Sequence, residues 1–184
     1  VDEPDFPELV RNAVKVVKEK PYGWEKMGPS VLRNAIFAAD VKELPERDEW
    51  IELAEDWFPM SLYTRVDVQF ARLVIALREK RYEECVQRGE SYLKAMDAYH
   101  AGANIAELMY GILSQAGPVQ EQRGKIALAD ACCNTGRLER TIELLSNLDY
   151  TKLDRALILE MMATLQELQY KSNIDTAPLI TAVW

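Results

Sequence analysis

Residues 119–148, VQEQRGKIALADACCNTGRLERTIELLSNL, hold a complete helix–turn–helix unit. Apolar residues follow helical spacing and nowhere alternate as a strand would, so 119–135 is predicted as one helix. Gly136 supplies the left-handed residue that stops it. Leu138, Ile142, Leu145 and Leu148 then carry a second helix on one stripe. Neither helix can bury its apolar face alone, so the pair needs neighbours.

The same spacing recurs in both directions. Leu9, Val10, Ala13, Val14 and Val17 form one stripe over 7–20, stopped by Pro21 and Gly23. Pro29 and Ser30 open a second helix with Leu32, Ala35, Ile36 and Ala39 inward. Pro45 opens a third, in which Trp50, Leu53, Ala54 and Trp57 share a face, and Pro59 closes it. Thr64 is the expected N-cap of a strongly apolar fourth helix through Phe70, Leu73, Val74 and Leu77. A fifth covers 82–99, with Cys85, Val86, Leu93 and Met96 inward and Gly102 at its end. A sixth is expected over 104–116, stopped by Gly117-Pro118. The ninth covers 152–170, with Leu159, Met162, Ala163 and Leu165, and Asp175 caps a tenth. Ten helices with short connections predict an all-α protein. Taken in pairs, the helices begin near 7, 45, 82, 119 and 152, spacings of 38, 37, 37 and 33 residues. A pair repeated at that interval is the mark of a helical solenoid.

Several residues match a known pattern within this period. In 87–120, Leu93 takes the large position of a first helix, Ala106 and Tyr110 the small and aromatic positions of a second, and Pro118 the terminal proline. Leu128-Ala129 form the next large-small pair, followed by Gly136-Arg137-Leu138 at the turn and Leu145 in the aromatic slot. Met162-Ala163 repeat Leu128-Ala129 after 34 residues. The chain thereby resembles the tetratricopeptide repeat (TPR) family. Lys94 stands where that pattern has a small residue, Thr141 replaces its alanine and Leu153 its proline. The resemblance implies a right-handed superhelix of about five antiparallel helix pairs. It makes 1–184 a single TPR-like domain, with degenerate pairs over 1–80 and TPR-like repeats over 82–184.

The chemistry available is narrow. His100 is the one histidine in 184 residues, which excludes most nucleophilic triads and metal sets. Asp97-x-x-His100 is half of a di-iron motif whose second half is missing. Cys132-Cys133 cannot make a zinc site, because adjacent side chains diverge around a helix. The glycines are scattered and none heads a phosphate loop. No catalytic residue, metal or cofactor is therefore expected, and a non-enzyme is the reading. Thirty acidic against 22 basic residues, a net charge of −8, argue against a nucleic-acid partner. No apolar run approaches the ~18 residues of a membrane span. Residues 1–7 are acidic and lack the build of a signal peptide. Cys85, Cys132 and Cys133, an odd count in helical segments, read as buried thiols of a reducing, cytoplasmic compartment.

What remains is recognition. The resemblance implies a non-catalytic scaffold or adaptor. Its concave wall, formed by the first helix of each pair, holds a protein or peptide segment at Arg123, Ile126, Asp130, Cys133 and Asn134. Ile126 and Asp130 fill positions that carry Lys and Asn in members that grip a carboxylate tail, so an apolar or basic segment is expected instead. A second candidate is the acidic run 43–56, in which Glu43, Glu46, Asp48, Glu49, Glu52, Glu55 and Asp56 oppose only Arg47. Its readings are a solvated helix face, a paired-carboxylate hydrolase, or a docking surface at Glu49, Glu52 and Asp56 for a basic peptide. Trp50, Trp57, Phe58, Tyr63 and Phe70 read as core packing, with an aromatic partner groove as the alternative. Arg11, Lys15, Lys18, Lys20 and Lys26 read as surface charge over an apolar helix face. A different class of function is a regulatory, sensor or assembly module of a larger protein, such as a transcription regulator or secretion chaperone. The absent initiator Met and the apolar residues 179–184 motivate it. A homodimer through Trp184 or the 1–20 helix is the alternative to a monomer.

Overall fold

The structure, a computed structural model, describes residues 6–58, 62–102, 118–172 and 176–177. The expected helices at 104–116 and from Asp175 lie outside the described residues, as do Ala106, Tyr110 and Trp184. Every element among the described residues is helical: α1 (Phe6–Lys18), α2 (Trp24–Val41), α3 (Arg47–Trp57), α4 (Leu62–Arg78), α5 (Tyr82–Gly102), α6 (Pro118–Asn134), α7 (Leu138–Ser146), a 3-10 turn (Tyr150–Lys152) and α8 (Arg155–Ser172).

Helix ends follow local chemistry. α2 starts earlier than Pro29 because Gly23, at φ +79°, turns the chain straight into it. Pro29 sits in its second turn, where the missing N–H removes one bond, to the Glu25 carbonyl. α4 likewise begins at Leu62, which puts Thr64 inside the helix rather than at its cap. The ninth expected helix divides into the 3-10 turn and α8, because the Asp154 carboxylate accepts the Leu157 N–H at 2.9 Å and caps α8. α2, α4 and α6 each end in a Schellman motif. The N–H of Leu44 reaches the Ala39 carbonyl at 2.8 Å, that of Arg81 reaches Ala76 at 2.9 Å, and that of Arg137 reaches Cys132 at 2.8 Å. The left-handed residues of the three motifs are Glu43, Lys80 and, as expected, Gly136.

The helices form two rows. α2, α4, α6 and α8 lie side by side, while α3 bridges α2 and α4, α5 bridges α4 and α6, and α7 bridges α6 and α8. Directions follow from the partners. In α4 and α6, Asp67 meets Gln120 and Val74 lies with Ala127, so these helices run parallel. In α6 and α8, Arg123 meets Glu160 and Asn134 meets Lys171, parallel again and offset by 37 residues. α5 runs the other way, since Glu83 meets Arg137 near the end of α6 and His100 meets Glu121 near its start.

This arrangement corrects the expected pairing. A pair beginning near 82 puts α5 in the same row as α6, where the two run parallel; in the molecule they are antiparallel and in different rows. The spacing 7, 45, 82 follows helix starts correctly but cannot say which neighbour each helix turns back upon. The offset corrects the repeat as well. At 37 residues, Leu128 corresponds to Leu165, and both are buried, whereas Met162 and Ala163 are exposed.

The apolar stripes read from the sequence are largely inward. Val10, Val14, Val17, Leu32, Ala35, Ile36, Ala39, Trp50, Ala54, Phe70, Leu73, Cys85, Val86, Met96, Leu145 and Leu148 are buried, but Leu9 and Leu159 are exposed. Two core clusters result, and α4 serves both. Val68, Ala71 and Ile75 join α1–α3, while Val66, Phe70 and Leu73 join α5–α8. That is why apolar residues cover most of α4, leaving Arg65, Gln69 and Arg72 as its polar stripe. At the second cluster's centre Tyr92 is fully buried against α6, and its hydroxyl donates to the Gln120 carbonyl at 3.2 Å. Its ring occupies the space where any Cβ at Gly124 would stand, so α5 and α6 can approach this closely only with glycine there.

Candidate functional site

Because α4, α6 and α8 are parallel neighbours, each contributes one turn-spaced face to a common cleft. α4 brings Val74, Leu77 and Arg78; α6 brings Arg123, Ile126, Ala127 and Asp130; α8 brings Glu160, Ala163 and Thr164. The i, i+3, i+4 spacing is the same on all three helices. The cleft has a volume of about 350 Å³. Its floor is aliphatic, and its rim carries two guanidinium and two carboxylate groups.

Arg78 and Asp130 are held from behind, while Arg123 and Glu160 hold one another. The Arg78 guanidinium donates to the Asp40 carboxylate at 3.0 and 2.5 Å, so α2 fixes its direction. Arg123 and Glu160 face one another across the cleft at 3.5 Å. Burial pushes the Asp130 carboxyl above the usual carboxylate range; Lys171 opposes this and Glu167 adds to it. The Asn134 amide donates to the Asp130 carboxylate at 3.2 Å and to its backbone carbonyl at 3.0 Å. Lys171 completes the chain, donating to Asn134 Oδ1 at 3.0 Å.

Of the five residues expected on a partner-binding wall, Arg123, Ile126 and Asp130 line this cleft. Asn134 stands behind Asp130. Cys133 is fully buried, because α8 lies across that end of α6, and burial raises its thiol pKa. It is therefore not a wall residue. Val74, Leu77 and Arg78 were missed because α4 counts as a second helix in the expected pairing. Their i, i+3, i+4 spacing, repeated at 123, 126 and 127, was the available signal.

The acidic candidates sit elsewhere. Glu49, Glu52 and Asp56 are exposed along one face of α3, which belongs to the other row. Lys18 pairs with Glu49, and Arg11 with Glu46 at 2.6 Å, so α1 covers part of the run. Glu55 receives two bonds from Arg72, at 3.1 and 2.6 Å. Glu52 and Asp56 carry no ion pair among the described residues. Of the aromatic set, Trp50, Phe58 and Phe70 are buried. Trp57 is half-buried and meets Trp24 edge-on at 5.6 Å. His100, exposed in the last turn of α5, lies 3.3 Å from Glu121.

All three cysteines are free and buried, and burial raises the thiols of Cys85 and Cys132 to about 12 and about 11. They are apolar filling rather than nucleophiles. No group of three His, Cys, Asp or Glu side chains among the described residues is arranged to hold a metal ion. No helix among them is long and apolar enough to cross a membrane. Comparison with known proteins gives no matching family model, no matching curated protein and no matching solved structure.

Proposed function

We propose that the chain is a non-catalytic protein-interaction scaffold, a TPR-like right-handed superhelical array that holds a partner segment in the α4/α6/α8 cleft. The observation that carries this reading is the repetition of one residue spacing on three parallel helices around a single concave, aliphatic floor. Such a floor suits an apolar anchor, and its rim of fixed charges suits orientation rather than bulk affinity. Asp130 and Glu160 favour a basic residue beside the anchor. The buried thiols support a reducing, cytoplasmic setting.

Ala163 is exposed and lines the cleft, so Ala163→Trp fills it without disturbing the core. Partners cross-linked to the wild-type chain are to be compared with those of Ala163→Trp and of Glu52→Lys/Asp56→Lys. The scaffold reading expects one partner to be lost at least tenfold with Ala163→Trp and kept by the α3 variant, with circular dichroism unchanged. The opposite pattern moves the site to the acidic face of α3.

A second reading is a regulatory or assembly module of a longer protein. The outer face of α8 supports it, where Leu159, Met162 and Tyr170 are exposed in a helix whose other side is core. In stacked-helix arrays such a face is where a further unit packs. Light scattering of the chain alone separates the versions: a concentration-dependent dimer abolished by Leu159→Lys/Met162→Lys expects self-packing, and a monomer expects another chain.

A further inference from the structure

We propose that Trp24 and Trp57 form an aromatic cage for an N-methylated ammonium group, with Lys20 as its resident occupant. The Lys20 Nζ stands 5.0 Å from the Trp24 ring centroid and 5.2 Å from that of Trp57. The two indoles are perpendicular, at 83°, and Phe58 backs Trp24 at 5.5 Å. Two ring faces converging on one cation is the geometry by which proteins recognise quaternary ammonium groups.

Lys20 stands in for that ligand. Among the described residues no carboxylate lies within 4.0 Å of its ammonium, whereas the neighbouring Lys18 pairs with Glu49. The rings therefore hold the cation. Lys20 is also a poor permanent tenant. Its backbone lies at φ +50°, in the region that favours glycine, and its side chain remains exposed. A primary ammonium keeps its hydration strongly. A methylated one gives up water more readily and sets its methyl groups on the rings. Beside the cage is an open recess of about 590 Å³ lined by residues 20–27, including Trp24 and Glu25. A ligand enters there as Lys20 swings out, and Glu25 adds a carboxylate on the same side. Occupancy by Lys20 lowers the apparent affinity by the fraction of molecules in which the cage is open.

The probe is tetramethylammonium chloride, titrated into the full chain against sodium chloride at equal ionic strength. The readout is the indole N–H resonances of the tryptophans. Trp24 and Trp57 should shift and saturate while buried Trp50 stays. Lys20→Ala, and Lys20→Gly, which suits the left-handed backbone, should bind at least fivefold more tightly. Trp57→Leu in the Lys20→Ala background should lose the response with circular dichroism unchanged. A peptide carrying trimethyllysine, run beside the free ion, tells whether the source is a protein side chain or a small molecule. Equal affinity in wild type and Lys20→Ala overturns the proposal, as does a non-saturating shift that sodium chloride reproduces.

Discussion

Two residues that end helices in the same way differ in what they cost the fold. Lys80 and Gly136 both occupy the left-handed position of a Schellman motif, at φ +57° and +77°. A left-handed residue with a Cβ is disfavoured by roughly 1–2 kcal/mol, partly offset for glycine by its greater freedom in the unfolded chain. Lys80 is exposed, so its side chain supplies little in return. Lys80→Gly should therefore stabilise the chain by about 0.5–1 kcal/mol in urea denaturation, and Gly136→Ala should destabilise it by about 1 kcal/mol. A loss on Lys80→Gly would mean that the lysine makes a contact outweighing its backbone strain. Gly136 was legible as a helix end because glycine announces the left-handed region. Lys80 and Glu43 adopt the same region with no such signal, since the motif is set by the carbonyls behind them and not by the residue itself.

At the scale of elements, helix existence and inward stripes were readable, and helix neighbours were not. Leu32, Ala35, Ile36 and Ala39 mark one face of α2 whatever it packs on. The apolar residues that cover most of α4 conceal which stripe meets α2, which meets α5 and which lines the cleft. Arg123, Ile126 and Asp130 line the cleft together because they share one face of α6, which the sequence reads as a first helix; Val74 and Leu77 belong to α4, which it reads as a second. The offset between α6 and α8 tests the corrected register. A 37-residue offset pairs Leu128 with Leu165, which is 1% exposed, while 34 residues pairs it with Met162, which is 37% exposed. Leu165→Ala should cost about 2–5 kcal/mol as a buried leucine does, and Met162→Ala at most about 0.5 kcal/mol. Equal losses on thermal unfolding would restore the 34-residue register.

Across the whole molecule the apolar residues of α4 join the two core clusters, and Asp67 is the charged group at that junction. It stands on α4 between both clusters, 4% exposed, with Arg33 of α2 at 3.1 Å on one oxygen and the Gln120 amide of α6 at 3.2 Å on the other. Three of the four helices in the row α2, α4, α6 and α8 thus meet at one carboxyl. Beside it lies a cavity of about 10 Å³, space for about one water. Burial raises its pKa to about 6, against the pull of Arg33 and Gln120 toward the charged form. Desolvation therefore wins over ion pairing, and the sign of the pH effect follows. The folded chain holds this proton up to about pH 6, while the unfolded chain releases it near 3.8. The contribution of Asp67 to stability is fullest below 3.8 and falls as pH rises to about 6, by about 3 kcal/mol at 1.36 kcal/mol per pH unit. Glu121 acts oppositely: lowered by Lys125 and His100 despite burial, it weakens the fold as pH falls. The difference between wild type and Asp67→Asn isolates the one group. Asparagine imitates the protonated acid, so the variant should match wild type near pH 4 and exceed it by up to about 3 kcal/mol at pH 7. Urea midpoints across pH 4–7 measure this directly. If Asp67→Asn instead loses about 3 kcal/mol at pH 7, the attraction to Arg33 exceeds the desolvation, and the junction is a true buried ion pair whose broken half is left uncompensated.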